Sequence, residues 1–161
     1  MPEVDGISLD GFSEPVSIKV LRETRCSSVP RSAGIYLITR TPDSKPEFLR
    51  DSTGGWFKGL DPSDPLDVVR EHWVQGAHVV YVGKGAGRKG LKGRLCQLLD
   101  FGFGKAVGHR GGRLLWHLPE SEKLLVRWRT CSTEQADRAE TNAIGSFKTL
   151  YGKRPYANLR K

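Results

Sequence analysis

Alternation of apolar and polar positions first shows at Ser17-Ile18-Lys19-Val20-Leu21, which predicts a short strand, and the denser run Gly34-Ile35-Tyr36-Leu37-Ile38-Thr39 predicts a second. Periodicity is then lost over residues 41–65. Thr41-Pro42-Asp43-Ser44, the pair Gly54-Gly55 and three further prolines there predict an inserted loop rather than a core element. Phe48, Trp56 and Phe57 within it are expected to pack back onto the body. A helix should begin near Asp64-Pro65, because proline suits the first helical position and Leu66, Val69 and Trp73 share one face. Gly76 should end it.

His78-Val79-Val80-Tyr81-Val82 is a compact β-branched run that leads into the glycine- and lysine-rich stretch 83–90. Leu91, Leu95, Leu98 and Leu99 follow at helical spacing, predicting a helix over about 89–100 with Arg94 off the apolar stripe and its guanidinium open to a ligand. Residues 113–118 and 123–129 read as strands paired across a turn at 119–122, with Trp116 and Trp128 filling the core. Ser132-Thr133-Glu134-Gln135 has the form of a capping box and opens a helix carrying Ala136, Ala139, Ala143, Phe147 and Leu150 at steps of three and four, closed by Gly152. The order of elements predicts an α/β or α+β fold: a small mixed, mainly antiparallel sheet flanked by helices.

The 161 residues suit a single domain, with an N-terminal extension over about 1–30 and an insertion over about 41–77. No apolar run approaches the roughly 18 residues of a membrane span, and the start Met1-Pro2-Glu3-Val4-Asp5 lacks a signal-peptide pattern, so a cytoplasmic protein is expected. Cys26, Cys96 and Cys131 are odd in number and widely spaced, which predicts reduced thiols rather than a disulfide framework or structural zinc. The net charge of +8 is unevenly spread: residues 81–113 carry eight basic side chains against one acid. Lys84, Arg88, Lys89, Lys92, Arg94, Lys105, Arg110 and Arg113, opposed only by Asp100, make a field suited to nucleic acid.

Phosphodiester hydrolysis needs a nucleophilic water, stabilisation of charge at phosphorus and usually a hard cation on carboxylate oxygen. Tyr36 and Tyr81 in apolar strands, the cations Lys84 and Arg94, and Glu140 in an alanine-rich helix supply these parts. Gly34-Ile35-Tyr36 followed by Tyr81-Val82-Gly83-Lys84 closely resembles the paired signature of the GIY-YIG nuclease superfamily. The resemblance extends over residues 30–40 and 78–161. Arg94 resembles the family's catalytic arginine, Glu140 its metal-binding glutamate, and the Pro155-Tyr156-Ala157-Asn158 close its terminal Pro-x-x-Asn element, which makes Asn158 a supporting residue. Tyr36 and Tyr81 stand 45 residues apart, longer than is common in the family, and Leu98 stands where some members carry a histidine one turn after the arginine. His109 is the candidate to take that place.

The resemblance implies a metal-dependent endonuclease of restriction or repair type. Tyr36 would help deprotonate the attacking water, either as a phenolate favoured by Lys84 or the metal or through a neighbouring base; Tyr81 would orient water or phosphate. Arg94 would grip a non-bridging oxygen, and Glu140 would hold one Mg²⁺ or Mn²⁺. Arg88, Lys89, Lys92, Arg110 and Arg113 would bind the nucleic acid, expected to be DNA, and either the insertion and the loop 102–112 would read the target or cutting would follow DNA structure. A homodimer would allow coordinated cuts in both strands. The competing reading is a non-catalytic nucleic-acid-binding module that uses segment 84–113, with Trp56, Trp116 or Trp128 stacking on bases. Gly85-Ala86-Gly87-Arg88-Lys89-Gly90 also fits a dinucleotide fingerprint, but no acidic residue follows about 20 positions on, and the loop lacks the Gly-Lys-Ser/Thr ending of a P-loop.

Overall fold

Five successive buried residues, Gly34 to Ile38, require a strand covered on both faces, and the architecture follows from that demand. The structure, a computed structural model, describes residues 2–41 and 44–159; Pro42 and Asp43 of the expected loop lie outside the described residues. In chain order the elements are β1 (Glu3–Val4), β2 (Ile7–Ser8), β3 (Val16–Ser17), α1 (Ile18–Glu23), β4 (Gly34–Thr39), α2 (Leu66–His72), β5 (Val79–Gly85), α3 (Gly90–Gly102), a 3₁₀ stretch Arg110–His117, a 3₁₀ turn Ser121–Lys123, β6 (Leu125–Thr130) and α4 (Thr133–Tyr151). β1 and β2 form a separate hairpin, and the main sheet runs β3-β6-β4-β5 with every pairing antiparallel. This is the small α+β arrangement expected of the sequence.

Tyr36 pairs with Gly83 and Ile38 with Tyr81, so both tyrosines point to one face, two rungs apart. That face holds the larger core, with Ile18 and Leu21 of α1, the leucines of α3, and Leu114, Leu115 and Trp116 of the 3₁₀ stretch. Leu37 and Val82 point the other way, onto Ala143, Ile144 and Phe147 of α4 and Ile7 of the N-terminal hairpin. α4 opens with the capping box between Ser132 and Gln135 and closes at Gly152 in the left-handed region. Its apolar stripe stops short of Leu150, which is exposed.

Two predicted strands are corrected. Only Val16 and Ser17 pair with β6; from Ile18 the chain is helical, because the Ser17 hydroxyl accepts from Val20 N at 3.1 Å and buries Ile18 and Leu21 at helical spacing. Residues 113–118 lie instead in the 3₁₀ stretch and its cap, kinked at Gly112. Leu114, Leu115, Trp116, His117 and Leu118 are buried in succession, a pattern compatible with either a short helix or a strand. Tertiary context chooses, since β3 and β4 already occupy both edges of β6.

The expected insertion is bonded along its length. Leu49 N donates to His117 O at 2.7 Å, Thr53 N to Trp116 O at 3.1 Å and Gly55 N to Phe101 O at 2.8 Å, while Asp64 accepts two bonds from Arg113. Phe48 packs on Trp73 and Tyr156, as expected of it, but Trp56 stays outside. The N-terminal segment is equally committed: Asp5 Oδ2 accepts from His78 N at 2.7 Å and Val79 N at 2.6 Å, and Tyr151 donates to Oδ1 at 2.9 Å. The cysteines Cys26, Cys96 and Cys131 are free thiols. Among the described residues no helix is long and apolar enough to cross a membrane.

The outer edge of β5 is closed by the C-terminal segment. Ala157 N donates to Val80 O at 2.8 Å, and the buried Asn158 amide accepts from Val82 N and donates to Val82 O, both at 2.9 Å. A side-chain amide thus stands in for a neighbouring strand. Asn158→Leu, close in volume, leaves both Val82 groups buried and unpaired, and should lower stability by about 2–4 kcal/mol, read as a lower urea midpoint at unchanged m-value. An unchanged midpoint would show that the amide does not hold this edge.

Candidate active site

Each tyrosine needs a close backbone neighbour without a side chain. The Tyr36 ring lies over Gly83, where a Cβ would overlap both the ring and its hydroxyl, and the Tyr81 ring lies against Gly112, where a Cβ would come within 3.1 Å. The ring centroids are 6.0 Å apart with planes inclined at 49°. Tyr36 is fully buried, and its hydroxyl faces the Tyr81 phenol without a well-formed hydrogen bond among the described residues. Burial drives its pKa well above the usual phenol value, with Tyr81 and Glu140 adding to the shift and Arg94 opposing it. Tyr81 is raised by burial too, again opposed by Arg94.

The role expected of Lys84 is corrected here. Its partner in register is Ile35, so it points to the face opposite Tyr36, where its ammonium pairs with Asp137 of α4 at 2.5 Å. It is no cause of the Tyr36 shift, and the buried phenol is held neutral.

Arg94 lies on the polar side of α3 because Leu91, Leu95, Leu98 and Leu99 bury the other side. Its Nη1 donates to Gln97 Oε1 at 3.1 Å, and Gln97 Nε2 donates to Gly108 O at 2.6 Å. That relay fixes the backbone next to His109. The imidazole is buried with neither ring nitrogen hydrogen-bonded among the described residues, and burial followed by Arg94 pushes its pKa down to about 3. Glu140 is half-buried on α4, four residues after Ala136 and three before Ala143, on the sheet-facing side. Arg94 and Glu140 both act electrostatically on Tyr36 and on Tyr81, and Arg94 on His109, with Glu140 acting from α4, which packs on the sheet face opposite the two tyrosines. Gln97 was missed, although it sits one helical turn after Arg94 on the same polar side.

The basic residues divide. Arg88 and Lys89 are exposed and, with Gly93, Arg94, Gln97 and Val107, line a cleft of about 630 Å³; Lys92 is half-buried nearby on α3. Arg110 donates to Asp61 O at 3.1 Å. Arg113 is corrected as a nucleic-acid contact: its guanidinium is held by both oxygens of Asp64, at 2.9 and 3.2 Å, and by Arg110 O at 3.2 Å. Asn158 supports the site only through β5, by its bonds to Val82.

Among the described residues no three His, Cys, Asp or Glu side chains cluster as a metal cage. One hard oxygen donor, Glu140, acts electrostatically on the two phenols, as does the Arg94 guanidinium. That set fits a hydrated Mg²⁺ or Mn²⁺ completed by phosphate oxygens, and does not fit structural zinc. No family model, no curated protein and no solved structure matches the chain.

Gly83→Ala should displace the Tyr36 ring and cost about 1–3 kcal/mol by overpacking, read as a lower thermal midpoint; an unshifted midpoint would contradict the close approach. His109 is neutral in the fold, whereas the unfolded chain takes up its proton near pH 6.5. Stability should therefore fall on acidification from about pH 6.5 to about pH 3, by at most about 1.4 kcal/mol per pH unit from this group. Urea titrations across that window should show a shallower slope for His109→Gln; an identical slope would mean the imidazole is not held neutral.

Proposed function

We propose that this chain is a divalent-metal-dependent endonuclease that hydrolyses phosphodiester bonds of DNA, a compact restriction- or repair-type member of the GIY-YIG nuclease superfamily. What supports the proposal is that a guanidinium on α3, Arg94, and a carboxylate on α4, Glu140, both act electrostatically on the two buried phenols Tyr36 and Tyr81 of adjacent strands. A packed core has no need of a guanidinium and a carboxylate acting on two buried phenols; a pentavalent phosphate has use for all of them.

In this reading Arg94 holds a non-bridging oxygen with its planar fork and Tyr81 orients the phosphate. Once water and substrate reach its buried hydroxyl, Tyr36 acts as a neutral phenol: it takes a proton from the attacking water and passes its own on, so that a free phenolate is not required. His109 is a neutral imidazole beside Arg94, suited to receive that proton once phosphate charge raises its basicity. The water oxygen bonds to phosphorus as the bond to the leaving sugar oxygen breaks. Glu140 would hold the Mg²⁺ or Mn²⁺, which when bound supplies stabilisation of the charge growing on the phosphate oxygens.

Supercoiled plasmid incubated with Mg²⁺ or Mn²⁺ should be relaxed or linearised, and EDTA should stop the reaction. Arg94→Ala and Glu140→Ala should each cut the rate by about 100-fold or more while DNA affinity is kept, whereas Lys84→Ala should have a small effect. Wild-type protein that binds DNA but leaves the plasmid intact with either ion would favour the non-catalytic module and sink the enzyme assignment.

A further inference from the structure

The inserted segment carries two large apolar side chains that the core leaves exposed, Trp56 and Leu60. Phe57 and Leu60 bridge across a tight turn in which Lys58 and Gly59 both have positive φ, 52° and 74°. On that turn Trp56 is 58% exposed and Leu60 50%, two of the four exposed large hydrophobic side chains among the described residues. The turn is rigidly mounted. Gly55 N donates to Phe101 O at 2.8 Å, a Cβ at Gly55 would overlap Lys105 O, and Thr53 Oγ1 donates to Gly102 O at 2.7 Å. It is mounted beside the candidate active site: the Phe57 ring packs on Gly108, the residue before His109, and Arg110 reaches Asp61 O.

We infer that the Trp56 turn is a stacking platform for an unpaired nucleobase next to the scissile linkage, so that the substrate class is DNA with a single-stranded segment beside the cut. The inference rests on the nuclease reading above and adds its substrate. Two arguments choose this occupant. The turn packs through Phe57 on Gly108, next to Val107 in the cleft that Arg88, Lys89 and Arg94 line, and the cations of that cleft suit a polyanion rather than an apolar protein partner. Bases inside a duplex already stack on their neighbours and offer no free face, so an exposed indole carried on this anchored turn gains only from a base that is unpaired. Rigid mounting keeps the ordering cost of stacking low.

The test is binding without cleavage. Fluorescein-labelled DNA, either a blunt duplex or the same duplex with a single-stranded arm, is titrated with the full chain in EDTA, and cleavage of both is then followed with Mg²⁺. Wild type should favour the armed duplex, Trp56→Ala should lose roughly 10-fold affinity for it with little change for the blunt duplex, and Trp56→Phe should recover most of the loss. Equal affinity of wild type for both duplexes, or an equal loss on both in Trp56→Ala, would overturn the inference while leaving the nuclease reading intact if cleavage persists. Conversion of a dimer to a monomer by Trp56→Ala in size-exclusion chromatography would also overturn it, assigning the indole to a second copy of the chain. Absence of any cleavage of either duplex by wild type would count against the nuclease reading itself.

Discussion

The approach of the Tyr36 ring to the backbone at Gly83 governs the rest of the structure. A large aromatic can lie over its cross-strand neighbour only where that neighbour has no side chain, and here the strand is also paired on its other edge by β6. With β4 paired on both sides and buried on both faces, the Tyr36 hydroxyl is left sealed and unpaired among the described residues.

Around that constraint the chain uses distant segments as fasteners. Asp5 covers the backbone at the start of β5, Asn158 covers Val82 on its edge, and Asp64 binds the guanidinium of Arg113. The first and last parts of the described chain thereby hold the strand that carries Tyr81. Electrostatics follow the same design: the low-dielectric interior that raises both phenols and lowers His109 also strengthens the action of Arg94 on all three. A polar cluster of this kind is stable when closed and reactive toward an anion that brings its own charge.

Much of the framework was legible from residue pattern. β4, β5, β6 and the helices α2, α3 and α4 fall where periodicity and capping place them, and Ser132 with Gln135 closes the box that their spacing predicts. Misreadings occurred where two or three local signals agreed with more than one structure. The alternation at 17–21 ignored the capping power of Ser17, and the apolar run 113–118 carries no period that separates a buried 3₁₀ turn from a strand. Likewise Lys84 is adjacent in sequence to Gly83 yet faces away from Tyr36, because side chains alternate along a strand.

By itself the order of residues determined which groups are available: two phenols in apolar strands, a guanidinium off a leucine stripe, a carboxylate in an alanine-rich helix, and a basic segment between them. Tertiary structure decided which of these meet. It brought His109 and Gln97 to Arg94, turned Lys84 to Asp137, consumed Arg113 in an ion pair and left Trp56 outside. The physical reason is range: periodicity and capping act over a few neighbouring residues, whereas burial, register and charge pairing depend on segments that become neighbours only when the sheet closes.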